Sequence, residues 1–123
     1  MSDGSPNQHT PLPERACRLS IYIGESDKWR GRPLYEAIVM KARELHIAGA
    51  TVLRGPMGFG AGSRIHTAKI MRLSEDLPIV IEIIETREKI EEFTPHLREM
   101  MEGGVATVED VEVVVHQARH KPG

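Results

Sequence analysis

Apolar and polar positions alternate with period two from Cys17 to Ile23, with Cys17, Leu19, Ile21 and Ile23 on one parity, which is the pattern of a strand buried on one face. Gly24 ends it. The residues from Glu25 to Arg32 are polar except for Trp29, and Pro33 stands where proline best opens a helix, because its missing N–H would have no partner there. Leu34, Ile38, Ala42 and Leu45 then recur at intervals of three and four, predicting an amphipathic helix closed near Gly49.

Ala50–Arg54 reads as a second strand, and it runs into a loop with glycine at 55, 58, 60 and 62. A further extended segment follows from Ile65 to Leu73, then a turn at Ser74–Asp76. Pro78–Glu85 is short and β-branched, the signature of a buried central strand. Thr86 is placed to cap a second helix whose apolar stripe is Ile90, Phe93, Leu97, Met100 and Met101. Pro95 is expected to kink or divide that helix, and Gly103-Gly104 to end it. After a turn at Glu109-Asp110, Val111, Val113 and Val115 predict a last strand reaching His116. Apart from one extra strand or extension, the order is the βαββαβ unit of a ferredoxin-like α+β fold, an antiparallel sheet with two helices on one face. Aliphatic residues on both parities of Ile79–Ile84 and Val111–Val115 make the uncovered face too apolar for water, which predicts oligomerisation through it.

Composition sharpens this picture. Of 123 residues, 1–14 read as a polar, proline-bearing disordered tail, 15–118 as one domain and 119–123 as a C-terminal tail. Aromatic residues are only 4%, so the core falls to aliphatic side chains, and a domain this small buries only about two-thirds of its unfolded surface. Subunit association is expected on that ground too. The net charge of −2 comes from 16 basic and 18 acidic residues spread along the chain, which argues against nucleic acid and anionic membranes as partners. The single Cys17 excludes an internal disulfide and points to a cytoplasmic protein. No apolar run approaches the roughly 18 residues of a membrane span, so no direct membrane insertion is expected, and no export leader is visible.

The densest chemical signal is the glycine loop bracketed by Arg54 and Arg64. Glycines let backbone N–H groups converge on an anion, and the two guanidiniums suit phosphate. No Gly-Lys-Ser/Thr follows and no helix opens there, so it is not a P-loop. A hairpin whose glycines serve only turn geometry is the other reading. Lys28, Arg30 and Arg32 surround Trp29, which either stacks on a ligand or partner or folds back on the edge of the core. Glu82 interrupts an apolar strand; it pairs with Arg54 or Arg64, meets a ligand, or is simply exposed. His66, two residues beyond Arg64, would share its strand face. The six histidines form no metal motif, and Cys17 reads as a small core residue rather than a nucleophile. Catalysis finds no positive support, although Glu82, Asp27 and His66 would serve a hydrolase if the fold gathered them.

Thr51–Gly55, Gly58-Phe59-Gly60, Ser63–Thr67, the string Leu73–Pro78 and Val108–Val111 together resemble the PII-like family known as domain of unknown function 190, over about Ala16 to Gln117. The resemblance implies a ferredoxin-like subunit forming a homotrimer, with adenine nucleotide sites in clefts between subunits. It implies that Gly58, Phe59, Gly60 and Arg64 belong to the loop reaching the cleft, and that Gly103 and Gly104 stand where PII proteins embrace phosphate. The long PII loop with its modifiable tyrosine is absent, and Val105–Asp110 replaces the basic residues that follow the PII phosphate loop. AMP or ADP is therefore expected rather than a triphosphate, with no other cofactor. The family association suggests a membrane transporter of the fluoride-exporter type as partner. A nucleotide or phosphate-ester hydrolase at the same cleft, and a nucleotide-independent trimeric adaptor, are the alternatives.

Overall fold

The strand expected at Cys17–Ile23 spans Arg15–Gly24 (β1) and is paired on both sides. The computed structural model describes residues 11–60 and 76–117. A short hairpin follows β1, formed by β2 (Lys28–Trp29) and β3 (Arg32–Pro33). Then come α1 (Leu34–Glu44), β4 (Thr51–Arg54), β5 (Pro78–Glu85), α2 (Arg87–Met100) and β6 (Val105–Glu112). Strands β4, β5, β1 and β6 form one antiparallel sheet in that order, the ferredoxin-like arrangement. The extended segment expected at Ile65–Leu73 lies outside the described residues, as do Ser74 and Glu75 of the expected turn.

The period-two pattern decides which face is covered. Cys17, Leu19, Ile21 and Ile23 of β1 and Ile79, Ile81 and Ile83 of β5 are buried on one face, joined there by the apolar stripes of α1 and α2. Phe93 of α2 is fully buried among them. Trp29 packs half-buried against the edge of this core with the Arg30 guanidinium 4.2 Å above its ring, the fold-back arrangement of the two considered.

Four local expectations are corrected. Pro33 is the N-cap residue of α1 rather than its first helical residue; the helix opens at Leu34, whose N–H donates to the Asp27 carbonyl at 2.8 Å. α1 also ends before Gly49, because His46 takes the left-handed conformation (φ 63°). The His46 N–H then reaches the Arg43 carbonyl at 3.1 Å and the Ile47 N–H reaches Ala42 at 3.0 Å, a Schellman closure that seats Ile47 against the core. Pro95 does not divide α2, which runs on through it and ends at Met100, ahead of Gly103. Finally, β6 runs straight through Glu109-Asp110 and stops at Glu112. The two acids are held on opposite faces of the strand, Glu109 by Arg18 and Asp110 by Arg87. Val113–His116 lies beyond the strand, where the Val113 N–H donates to Glu14 and the Leu12 N–H to His116 Nδ1.

Candidate functional site

The face of the sheet away from the helices carries three rows of side chains, fixed by the register. Leu53, Val80, Tyr22 and Val105 make an apolar row across all four strands, with Leu53 50%, Tyr22 45% and Val105 53% exposed. The next row is polar: Thr51, Glu82, Ser20 and Thr107. Ile84, Arg18 and Glu109 make the third, the last two paired as ions. Glu82 thus sits half-buried in the middle of the open face, paired in register with Thr51 and Ser20; neither Arg54 nor any other cation forms an ion pair with it among the described residues. The apolar residues expected on this face are thus gathered at one end of it.

That apolar end adjoins the loops. Arg54 closes β4 opposite Ile79, and its Nη2 lies 2.6 Å from Glu25 Oε2. The Gly55 N–H donates to Pro78 at 2.8 Å, and a Cβ at Gly55 or Gly58 would come within 2.9 or 3.0 Å of the Pro78 ring, so both glycines admit that ring. Phe59 is 70% exposed. Lys28 is exposed on β2, just after the turn that leaves β1. Arg64 and His66 lie outside the described residues.

Gly103 and Gly104 enter β6 at this same end of the sheet. Gly104 has φ 95°, and a Cβ there would meet the Tyr22 carbonyl at 2.5 Å, so the turn requires glycine. Both glycines line a groove of about 490 Å³ between α2 and β6, with Leu97, Arg98, Met101 and Val108. The foot of the glycine loop and the Gly103-Gly104 turn therefore share one end of the sheet but occupy opposite edges, β4 and β6. Three strand spacings, about 14 Å, separate them within one subunit. Asp27 and Glu82 are not brought together either. Glu82 is four residues along β5 from the Gly24–Pro78 pair, about 13 Å, and Asp27 Oδ2 accepts the Gly24 N–H at 3.0 Å.

Cys17 is 2% exposed, with Sγ 3.6 Å from Asp110 Oδ1, which also takes Arg87 Nη2 at 2.8 Å. Burial pushes the thiol pKa up, and Arg87 holds the Asp110 carboxyl below the usual range, so Cys17 stays protonated as a core residue. No group of three or more His, Cys, Asp or Glu side chains suited to a metal occurs among the described residues. No helix there is long and apolar enough to cross a membrane.

Reading the sequence missed Glu25 as the partner of Arg54, Asp76 as a clasp on Ser26, and the row ending in Tyr22 and Val105. Each depends on strand pairing between distant segments. Asp76 alone had a local signal, its place in the string Leu73–Pro78.

Residues 16–113 match the model of the DUF190 family, described as "Uncharacterized ACR". A UPF0166 protein of Aquifex aeolicus is 36% identical over 96 residues, covering 78% of this chain and 90% of its own. A UPF0166 protein of Methanocaldococcus jannaschii is 34% identical over 100 residues, covering 80% and 92%. Among solved structures, a PII-like signalling protein of Thermus thermophilus superposes with a TM-score of 0.59 at 22% identity, over 81% of this chain and 90% of that one. CPII of Thiomonas intermedia, a nitrogen regulatory PII-like protein bound to ADP, AMP and bicarbonate, gives 0.55 at 20% identity, over 80% and 88%. The chain belongs to the DUF190 family and has the ferredoxin-like fold of the PII-like proteins.

Proposed function

We propose that this protein is a PII-like regulatory module that assembles as a homotrimer through its open sheet face. It binds an adenine nucleotide, AMP or ADP, between the β4 edge of one copy and the β6 edge of the next. The observation that carries this reading is the placement of the two glycine turns at one end of the sheet but on opposite edges. Within one subunit the feet of the two turns stand on opposite edges of the sheet, and a neighbouring copy would bring the β4 edge of one beside the β6 edge of the other. The apolar row of Leu53, Val80, Tyr22 and Val105 supplies the surface that association would bury. CPII, which shares the fold, binds ADP and AMP.

In this reading Gly58, Phe59, Gly60, Arg64 and His66 come from one copy, with Arg54 steadied by Glu25. Gly103 and Gly104 of the next copy offer backbone N–H groups to phosphate. Lys28 stands at the rim, and Glu82 lies in the polar row between subunits. Occupancy would bias the glycine loop between two states and so regulate a partner, which requires tighter binding to one of them. The protein acts in the cytoplasm, and a membrane transporter such as a fluoride exporter is the partner the family association suggests.

Calorimetric titration with AMP, ADP, ATP and cyclic AMP, alongside sedimentation, tests the reading. Saturable heat with AMP or ADP on a trimer is expected, weakened at least tenfold in Arg64→Ala. Absence of heat with all four nucleotides sinks the nucleotide reading, and binding by a monomer sinks the inter-subunit site. Product formed from ATP and magnesium, and lost in Glu82→Ala, would favour a hydrolase instead. Tight capture of a transporter whether or not nucleotide is present would favour an adaptor.

A further inference from the structure

The turn Gly24–Asp27 makes more contacts between distant segments than its polar sequence suggests. On one side it holds both ends of the β4–β5 connection. Glu25 takes Arg54 at the β4 end, with Nη2 and Oε2 2.6 Å apart. At the β5 end, Asp76 Oδ1 accepts both the Ser26 N–H at 3.1 Å and the Ser26 hydroxyl at 2.8 Å, and the Glu25 N–H donates to the Leu77 carbonyl at 2.8 Å. Two features show how closely this clasp is fitted. Asp76 adopts φ 49°, a left-handed conformation in which Asp and Asn are tolerated best after glycine. A Cβ on Gly24 would lie 2.3 Å from Asp76 Oδ1, so Gly24 leaves room for the carboxylate.

On its other side the same turn starts the next elements. The Asp27 carbonyl accepts the N–H of Leu34, the first residue of α1, at 2.8 Å, and Asp27 Oδ2 closes the turn on the Gly24 N–H. One residue further begins the β2–β3 hairpin that carries Trp29, and Arg30, stacked on that ring, reaches Glu99 of α2 at 3.8 Å.

We infer that the Ser26–Asp76 clasp is a coupling device: it transmits the position of Asp76 and Leu77, where the chain enters β5, to the start of α1 and to the Trp29–Arg30 surface. The warrant is a run of hydrogen bonds at Glu25, Ser26 and Asp27, successive residues of the turn, that ends on the Leu34 N–H, with Trp29 two residues along the chain from Asp27. Coupling through such a chain is a physical claim only if both ends respond together. Nothing in it depends on which ligand the protein binds.

Amide hydrogen exchange on the full-length protein, with acrylamide quenching of Trp29, the only tryptophan in the chain, tests it. Asp76→Gly removes the carboxylate while accepting the left-handed backbone, and Asp76→Asn keeps both an acceptor and the conformation. In Asp76→Gly the Ser26, Glu25 and Leu34 amides should exchange roughly five- to tenfold faster, the factor expected for loss of one net hydrogen bond, and Trp29 should become more quenchable. Asp76→Asn should restore both. Ser26→Ala, which leaves the backbone untouched, should move the same amides in the same direction and serves if Asp76→Gly does not fold. Faster exchange confined to Ser26, with Leu34 and Trp29 at wild-type values, overturns the inference. So does a uniform rise that includes Ile21 and Ile81 in the core, which would make the pair a contributor to global stability alone.

Discussion

Glu85, at the end of β5, accepts the backbone N–H of Ala48 on Oε1 at 2.7 Å, so a carboxylate only 3% exposed ties the sheet to the segment that leaves α1. Its second oxygen accepts the N–H of Thr86, the N-cap residue of α2, at 3.0 Å. One side chain therefore sets where both helices meet the strand. Glu85→Gln keeps one carbonyl acceptor and should cost about 1 kcal/mol. Glu85→Leu removes the acceptor from both part-buried N–H groups and should cost about 1–3 kcal/mol, measured by urea unfolding.

The apolar row predicts the outcome of charging it. If the proposed homotrimer closes on this face, Tyr22→Asp or Val105→Glu, each on an exposed position of it, should shift the sedimenting species from trimer to monomer while leaving the far-ultraviolet circular dichroism unchanged. A charge buried without a partner costs several kcal/mol, more than burial of one such side chain contributes. A trimer that survives both substitutions would place the interface elsewhere.

Gly103 and Gly104 should respond differently to alanine. A Cβ at Gly103 meets nothing within 4 Å, so Gly103→Ala should fold with wild-type stability, and any loss of nucleotide affinity then reports contact with the ligand. Gly104→Ala places a side chain at φ 95° against the Tyr22 carbonyl and should cost roughly 1–3 kcal/mol in thermal unfolding even without ligand.

The Cys17–Asp110–Arg87 cluster contributes to both limbs of the pH profile. Asp110 has its folded-state pKa lowered, first by the Arg87 hydrogen bond and then by that of Cys17. Its contribution is present above the ordinary carboxylate range and is lost as pH falls through the lowered value. Cys17 has its pKa raised, chiefly by burial. Its contribution is full below the ordinary thiol value and is lost as pH rises through the raised one. Thermal unfolding against pH should therefore show a flatter acid limb in Asp110→Asn and a flatter alkaline limb in Cys17→Ala. Unchanged limbs in both variants would remove the cluster from the pH response.

The element order and the core were legible because Leu19, Ile21, Ile81, Phe93 and their neighbours repeat with the period of their own element, and that period is a local property. The errors fall where a distant partner overrides a local preference. Glu109-Asp110 reads as a turn until Arg18 and Arg87 are placed across from it. His46 reads as helix until Ile47 has a core to enter. Pro95 reads as a break, yet α2 continues because Phe93 and Leu97 are buried on either side of it. The candidate site was legible as two glycine turns. Their positions on opposite edges depend on the register of β4 and β6, which no local pattern carries.

The acidic half of β6 has a further consequence, for how far assembly can proceed. Among the described residues the sheet ends in β4 on one side and β6 on the other, and unpaired edges invite copies to add end to end into a filament. Along β6, Val105–Val108 carries no charge, but Glu109, Asp110 and Glu112 follow it, with the first two already engaged by arginines of the same chain. A second copy pairing along β6 would therefore meet carboxylates over the last part of the strand, which works against unbroken edge-to-edge growth.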